Sequence, residues 1–474
     1  MAAIVWFRRD LRLHDNLALL SAVAKGTEIV PVYVVDEQDT GGASRWWLHH
    51  SLRALQNDIS SMGGQLLIRS GDPAAELQAL VDECGATSLH YSKRYEPASR
   101  RQESQLASLL DGQVDIAAAD NNYLTNVNAL FTKGGSPFKV FTPFWRAASA
   151  SHHSGPRPMP TERLFSSRDF DSAPLDTVCP LPANPDWAGG LRAQWQPGES
   201  GALQRLDEIS AASKNYVTLR DRPDKDTTSR LSPHLHFGEV SARQVAHALS
   251  SQQSDGAAAL LRQLYWREFS AYLLYHYPSL PVAPLRSEFE KFPWVNDEEG
   301  LRLWQKGKTG YPIVDAGMRQ LWASGWMHNR VRMIVASFLI KDLMIPWQKG
   351  AAWFADTLVD ADLANNSASW QWVAGCGTDS APYFRIFNPI LQGKKFDPNG
   401  DYVRRWVPEL AALPAKWIHE PWQADLVTLA ESDLVLGGDY PKPLVDHGIA
   451  RKNALAAYQL MRDIPGDSDA MGAG

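Results

Sequence analysis

Between Asp360 and Trp372 the sequence Asp-Ala-Asp-Leu-Ala-Asn-Asn-Ser-Ala-Ser-Trp-Gln-Trp sets two carboxylates, two asparagine amides and two indoles inside thirteen residues. The stretch after Leu363 otherwise reads as buried helix, where unpartnered polar groups are costly, so something polar is expected to meet them. On a helix Asn366 and Trp370 lie four apart and share a face, which lets an amide and an indole address one ligand together. A buried helix capped by an Asp or Asn explains the same residues without a ligand.

Three other places carry candidate chemistry. Thr227-Thr-Ser-Arg-Leu-Ser232 offers four hydroxyls just before Pro233 and a helical pattern; hydroxyls and free backbone donors at a helix start can hold phosphates, although an ordinary cap needs only one. Leu264-Tyr-Trp266-Arg-Glu-Phe269 places aromatics between Arg262 and Arg267, which suits stacking on a base beside phosphate-reading cations and equally suits an amphipathic surface helix. A helix expected to begin at Trp326 turns Asn329, Arg332, Met333 and Ala336 away from its apolar face. Gln392-Gly-Lys-Lys395 and Arg404-Arg405 are basic, and each singly reads as solvated charge.

Positioning these groups needs two kinds of architecture. Short β-branched runs at Ile4–Phe7, Ile29–Val35, Leu66–Arg69, Leu89–Ser92 and Val114–Ala117 alternate with helix-like segments. They predict right-handed βαβ units and a parallel, Rossmann-like α/β domain over residues 1–131. The turn after the first strand, Arg8-Arg-Asp-Leu-Arg-Leu-His-Asp15, has no glycine to wrap a pyrophosphate, so a dinucleotide fingerprint is absent. Ligands of such a sheet sit beyond the carboxyl ends of its strands, where Arg8, Arg9, Asp36 and Lys93–Tyr95 are expected to cluster and could meet something planar; a solvated loop rim explains the same residues and is the reading favoured. Residues 132–200 read as a wrapping linker, because eight of the chain's thirty prolines lie between Ser151 and Ser200. Residues 201–465 then follow a 3.6-residue period and predict an all-helical domain, with one helix from the Thr309-Gly-Tyr-Pro312 start to Gly325, and a short tail at 466–474. Twelve of the eighteen tryptophans lie after residue 260, more than a core needs; base stacking or electron transfer through indoles would use them.

The remaining composition excludes several classes. Ala3-Ile-Val-Trp-Phe7 already reads as a strand, leaving no room for a secretion signal, and the most apolar helix, Val331–Met344, is too short to span a bilayer. Cys84, Cys179 and Cys376 are scattered, which supports neither a disulfide framework nor a cysteine metal site. A soluble cytoplasmic protein without metal or membrane contact is expected. The net charge of -6 argues against indiscriminate nucleic-acid binding and leaves room for a local basic patch.

Taken together the motifs resemble the DNA photolyase and cryptochrome family over nearly the whole chain. They run from Trp6-Phe-Arg-Arg-Asp-Leu-Arg12 through Thr228-Ser-Arg-Leu-Ser-Pro-His-Leu-His-Phe-Gly-Glu239, Trp266-Arg-Glu-Phe269, Thr309-Gly-Tyr-Pro-Ile-Val-Asp315 and Gly325-Trp-Met-His-Asn-Arg330 to the stretch ending at Pro389. The resemblance implies an α/β antenna domain, a linker and a helical domain holding FAD. It places Tyr216, Thr228, Ser229, Arg230, Leu231 and Ser232 at the flavin nucleotide's phosphates, Asn329 and Arg332 beside the ring system, Asp360, Ala361 and Asp362 at its polar edge, and Asn366 facing N5. It implies that the photoexcited, fully reduced flavin donates an electron to a pyrimidine dimer in UV-damaged DNA, the cyclobutane splits, and the electron returns. Trp370, Trp347 and Trp294 match the tryptophans that photoreduce the flavin. Arg220, Gln263, Trp266, Asn329, Arg330, Met333, Gln392, Lys394, Lys395 and Arg404 are expected at the DNA, and a monomer is expected.

Within such a family, (6-4) enzymes carry histidines where this chain has Asn329 and Met333. Plant cryptochromes carry aspartate where it has Asn366, and lack the tryptophan matching Trp266. These positions point to cyclobutane repair, as does an ending soon after Arg462, with a signalling cryptochrome and a (6-4) photolyase as the alternatives. Gln263 departs from the glutamate of many cyclobutane enzymes. Ala98 and Ser99 replace the Asn and Glu of the best-known folate-binding photolyases, while Arg45-Trp-Trp-Leu48 resembles plant cryptochromes and the bacterial class near them; methenyltetrahydrofolate is the antenna this suggests.

Overall fold

The computed structural model describes residues 2–36, 41–150, 154–160, 165–166, 168–212, 215–380 and 385–463. Residues 381–384, in the run toward Pro389, and the expected tail at 466–474 lie outside the described residues. The fold has the expected class, a parallel sheet in the N-terminal part and a helical C-terminal part. Five strands, β1 (Ala2–Phe7), β2 (Glu28–Val35), β3 (Leu67–Ser70), β4 (Ala86–Ser92) and β5 (Asp115–Ala119), pair in the order β3-β2-β1-β4-β5, always in parallel. β1 is buried throughout. Ala3, Val5 and Phe7 enter one core with helices α1 (Leu17–Val23) and α2 (Gly42–Ser61), and Ala2, Ile4 and Trp6 enter another with α3 (Pro73–Cys84) and α4 (Pro97–Leu109). A strand covered on both faces needs no polar alternation, which is why its apolar run was legible.

The chain forms two compact units, and their limits differ from the expected boundary near 131. The first comprises Met1–Val217, Thr228–Pro278 and Val359–Ala364, the second Thr218–Thr227, Ser279–Leu358 and Asn365–Gly474. Within the first unit the reason is a set of buried polar ties to the sheet layer. Glu239 accepts from Trp47 Nε1 at 2.9 Å and Gly198 N at 2.7 Å. Glu268 accepts from Thr125 N at 2.9 Å and Thr125 Oγ1 at 2.5 Å, and Arg243 pairs with Asp15 at 3.0 Å. The expected linker does more than wrap: its helix α5 (Phe141–Ser149) buries Phe144, whose ring centroid lies 5.1 Å from that of Phe269 and 5.0 Å from that of Tyr272 on α6 (Asp255–His276).

In the second unit α7 (Pro312–Ser324) begins and ends as its punctuation predicts, with Pro312 in the first turn and Gly325 closing it at a φ of 66°. Asp315 is fully buried and folds back on the entry, accepting from Thr309 N and Oγ1, each at 2.7 Å, Gly310 N at 3.0 Å and Tyr440 OH at 2.6 Å. The next helix was expected to begin at Trp326; α8 instead spans Asn329–Ser337 with His328 as its N-cap. Ser324 Oγ lies 2.7 Å from Gln320 O and 3.0 Å from Trp326 O, and accepts from Trp326 N at 3.3 Å, so Trp326 is tied to the end of α7. Then come α9 (Trp347–Thr357), α10 (Leu363–Ala374) and α11 (Pro389–Phe396). Among the described residues no helix is long and apolar enough to cross a membrane, no three His, Cys, Asp or Glu are grouped to hold a metal, and the three cysteines are buried free thiols.

Candidate functional site

The expected site residues divide between the units. Tyr216, Thr228–Ser232, Gln263, Trp266 and Asp360–Asp362 belong to the first, and Arg220, Asn329–Met333, Asn366, the three tryptophans and the basic residues after 390 to the second.

In the first unit Thr228–Leu231 leads into the short helix Ser232–Phe237. Arg205 gathers the loop's carbonyls, its Nε donating to Ser229 O at 2.9 Å and Nη2 to Thr228 O at 3.1 Å. Arg230 adopts a φ of 49°, rare for a residue with a side chain. With the carbonyls turned to Arg205, the Thr228 and Ser232 hydroxyls make no hydrogen bond within the described residues, and Ser232 is exposed. Asp360 is buried, and Ala361 and Asp362 are half-buried.

Arg8 and Arg9 do not form the solvated rim that was expected; both are buried. Arg8 pairs with Glu103, and Arg9 Nη1 lies 2.8 Å from His236 Nε2. A guanidinium only donates, so His236 Nε2 accepts and the neutral ring carries its proton on Nδ1. Burial, followed by the charge of Arg9, lowers the His236 pKa, in agreement. Nδ1 is 3.7 Å from Asp362 Oδ2, and both residues line a cavity of about 20 Å³, room for one water.

α6 carries the aromatic and basic cluster. Trp266 is half-buried, and one face of its indole is stacked on Phe141 with centroids 3.6 Å apart and planes within 6°. Gln263, one turn earlier, donates to Ala259 O at 3.2 Å. The two flanking arginines differ. Arg267 turns inward, donating to Asn122 O at 2.7 Å and Leu235 O at 3.2 Å, whereas Arg262 is exposed and lies over Trp145 at 4.5 Å and Phe141 at 5.5 Å. Sequence reading missed Phe141, Trp145 and Arg205. The first two were legible only as Phe141-Thr-Pro-Phe-Trp145, an aromatic run at helical spacing within an apparent linker.

In the second unit Asn366 and Trp370 are both on α10. Asn366 Nδ2 donates to Ala351 O at 2.9 Å, which fixes the amide's orientation. Trp370 is 2% exposed, edge-on to Phe354 at 5.0 Å and to Trp304 at 6.3 Å. Trp347 heads α9 and is 1% exposed, while Trp294 is half-buried against Phe292. Val295 N donates to Met344 O at 2.9 Å, which ties the Trp294 segment to the approach to Trp347. Arg332 Nε donates to Met327 O at 2.8 Å. Asn329 is exposed, and Met333 is half-buried, its sulfur 4.0 Å from Asn329 Nδ2 and 3.9 Å from an Arg330 nitrogen.

The cations expected at DNA have different local roles. Arg330 pairs with Asp221 at 3.0 Å and lies over Phe396 at 4.5 Å. Lys394 pairs with Glu420, and Lys395 sits 5.1 Å from the Phe396 ring centroid. Arg404 donates to Ala411 O at 3.0 Å, Leu413 O at 2.6 Å and also Asn399 O, so its fork holds a loop together. Arg220 and Gln392 are half-buried. Gly393, between Gln392 and Lys394, is required by packing: a Cβ there would lie 2.4 Å from His419 Nδ1.

Residues 260–460 match the family model for the FAD binding domain of DNA photolyase and residues 3–163 that for DNA photolyase. A deoxyribodipyrimidine photo-lyase of Agrobacterium fabrum is 48% identical over 97% of this chain and 98% of its own length. Cryptochrome-1 of Arabidopsis thaliana is 38% identical over 97% of this chain and 70% of its own length. Among solved structures, a bacterial class III photolyase from Agrobacterium tumefaciens superposes with a TM-score of 0.95 at 47% identity, covering 97% of this chain and 98% of that one. A Synechocystis cryptochrome gives 0.89 at 29% identity, covering 96% and 99%.

Proposed function

The chain belongs to the DNA photolyase and cryptochrome family, and from that premise we infer that it repairs cyclobutane pyrimidine dimers in DNA under light, with FAD as its cofactor. The observation that carries the reading is the 48% identity to a deoxyribodipyrimidine photo-lyase along almost the full length of both chains. Bound FAD supplies the light-driven electron donation to the dimer; the protein supplies binding, orientation and electrostatics.

The residues present fit such a group. A pyrophosphate needs several donors and no facing carbonyls, and the Thr228–Ser232 loop turns its carbonyls to Arg205 while two hydroxyls keep no protein partner among the described residues. We assign that loop with Tyr216 to the phosphates, Asp360, Ala361 and Asp362 to the polar edge of the ring system, and Asn329 and Arg332 to its flank. One Asn366 N–H is donated to Ala351 O, and we assign its carbonyl oxygen to accept from a protonated flavin N5. Trp370, Trp347 and Trp294 serve as the route by which the cofactor is photoreduced; the first two are buried and Trp294 is half-buried, which suits Trp294 as the outer end. Trp266 offers the flipped dimer the face that Phe141 leaves uncovered, while Gln263, which can both donate and accept, reads thymine polar atoms. Arg220, Arg330, Met333, Gln392, Lys394 and Lys395 border the lesion; Arg404 acts there through the loop it holds.

Methenyltetrahydrofolate is the antenna we propose, bound by the first unit. Trp46 and Trp47 of the Arg45–Leu48 motif are buried core residues, so their part in it is structural. A monomer in the cytoplasm completes the reading, and sedimentation of the purified protein tests the first point. The main test is direct. The absorption spectrum before and after denaturation should show FAD and a second chromophore, and blue light should restore dimer-containing DNA while darkness does not. Flavin without light-dependent repair of cyclobutane dimers, or repair confined to (6-4) lesions, would overturn the assignment.

A further inference from the structure

We propose that Arg262 is a DNA phosphate contact, held beside the Trp266 face by Trp145 and Phe141. The inference rests on the reading of Trp266 as the surface that receives the dimer and adds a residue, and a supporting helix, to it. Arg262 and Trp266 are four apart on α6 and therefore share a face. Of the two arginines that bracket the indole, Arg267 donates to two backbone carbonyls inside the first unit. Arg262 is exposed and has no carboxylate partner among the described residues.

Its guanidinium nevertheless has a defined place, 4.5 Å from the Trp145 ring centroid and 5.5 Å from that of Phe141. Contact with ring faces orients a cation without neutralising it, so the N–H groups that do not lie on the rings keep their full charge for an outside oxygen. Phe141 serves both partners at once. It stacks flat on the face of Trp266 opposite the one left for the dimer and lies beneath Arg262, so α5 sets how far behind the stacking surface the charge stands. A flipped base and its own flanking phosphate have that combination of π-face and anion, and recognition of one by an indole and the other by a fixed cation follows the general division between base and backbone contacts. Two of the other expected cations are less free to do this: Arg330 and Lys394 already face Asp221 and Glu420.

The test is equilibrium binding of the FAD-loaded full chain to a duplex with one thymine dimer and to the same duplex undamaged, over about 50 to 200 mM salt. Flavin absorbance verifies that each variant is folded. Arg262→Gln should weaken both duplexes and reduce the slope of log affinity on log salt by about 0.9, one phosphate's share, while the preference for the dimer persists. Arg262→Lys should keep most of the slope, and Trp145→Leu should move both quantities in the direction of Arg262→Gln. An unchanged slope for Arg262→Gln overturns the proposal. Trp266→Ala separates it from the reading beneath it: loss of dimer preference with an unchanged slope supports both. A wild-type protein with no dimer preference would defeat the photolyase reading, while a reduced slope for Arg262→Gln would still establish the phosphate contact.

Discussion

The indole of Trp370 lies so close to the backbone of Gly350 that a Cβ at residue 350 would fall 2.1 Å from its Cη2. Glycine is therefore required in the middle of α9, where it otherwise costs about 1 kcal/mol against alanine. Gly350→Ala should force the ring or the helix to move and destabilise the protein by roughly 1 to 3 kcal/mol, the usual cost of overpacking. Denaturant titration measures the loss. Photoreduction should slow with it, because the same ring is the proposed first electron donor.

Trp370→Phe should block light-driven reduction of oxidised FAD yet spare dimer repair once the flavin is reduced chemically. The two activities use different neighbours of the cofactor. Equal loss of both in the two assays would show that Trp370 supports the site only structurally.

Asn366→Asp tests the amide. The change removes the donor to Ala351 O and sets a carboxylate oxygen against that carbonyl, which raises the new group's pKa. Once protonated, the introduced carboxyl has a single proton, which can relieve the repulsion at Ala351 O or face flavin N5 but not both at once. Photoreduction of the variant should become pH-dependent and its repair yield should fall; a flat pH profile like that of the wild type would contradict the placement.

Acid should destabilise the second unit through His328. Burial, ahead of its neighbours, lowers its pKa to about 4, with Asp221 opposing and Arg330 and Arg332 reinforcing the shift. The unfolded chain then binds a proton that the folded chain refuses between about pH 6.5 and 4, so stability rises with pH across that window and is lost as pH falls, by up to about 1.4 kcal/mol per unit. At Asp397 and His419 the shifts oppose each other, a carboxyl raised to about 6 and an imidazole lowered to about 4, so this pair offsets much of its own pH dependence. His328 Nδ1 accepts from Arg330 N as the α8 cap, a task asparagine also performs. His328→Asn should keep the cap, lower stability across the pH range through the lost ring packing, and flatten the acid limb of a melting-temperature profile.

Lesion recognition should separate Trp266 from Gln263. Stacking on an aromatic is worth about 1 to 3 kcal/mol per base, so Trp266→Ala should weaken dimer binding roughly 5- to 150-fold and leave undamaged DNA nearly unaffected. Gln263→Glu should keep cyclobutane repair and Gln263→Ala should impair it. Normal repair by both alanine variants would mean that this face of α6 does not meet the dimer.

The sequence by itself determined the sheet, because β1 and β2 are covered on both faces and so appear as uninterrupted apolar runs. It also determined the limits of α7, where proline and glycine restrict the backbone locally, and the motif residues that carry the family likeness. Only the tertiary structure decided how those residues are used. Arg262 and Arg267 are equivalent in composition and pattern, yet one is drawn over α5 and the other to carbonyls of residues 122 and 235. Arg404 reads as solvated charge until the turns that bring three carbonyls to it are known. Phe141 and Trp145 lie within residues 132–200, which read as a linker, and their role depends on contacts more than a hundred residues away. Periodicity and punctuation report local backbone preference; the choice of partner for a long polar or aromatic side chain is made by distant parts of the chain.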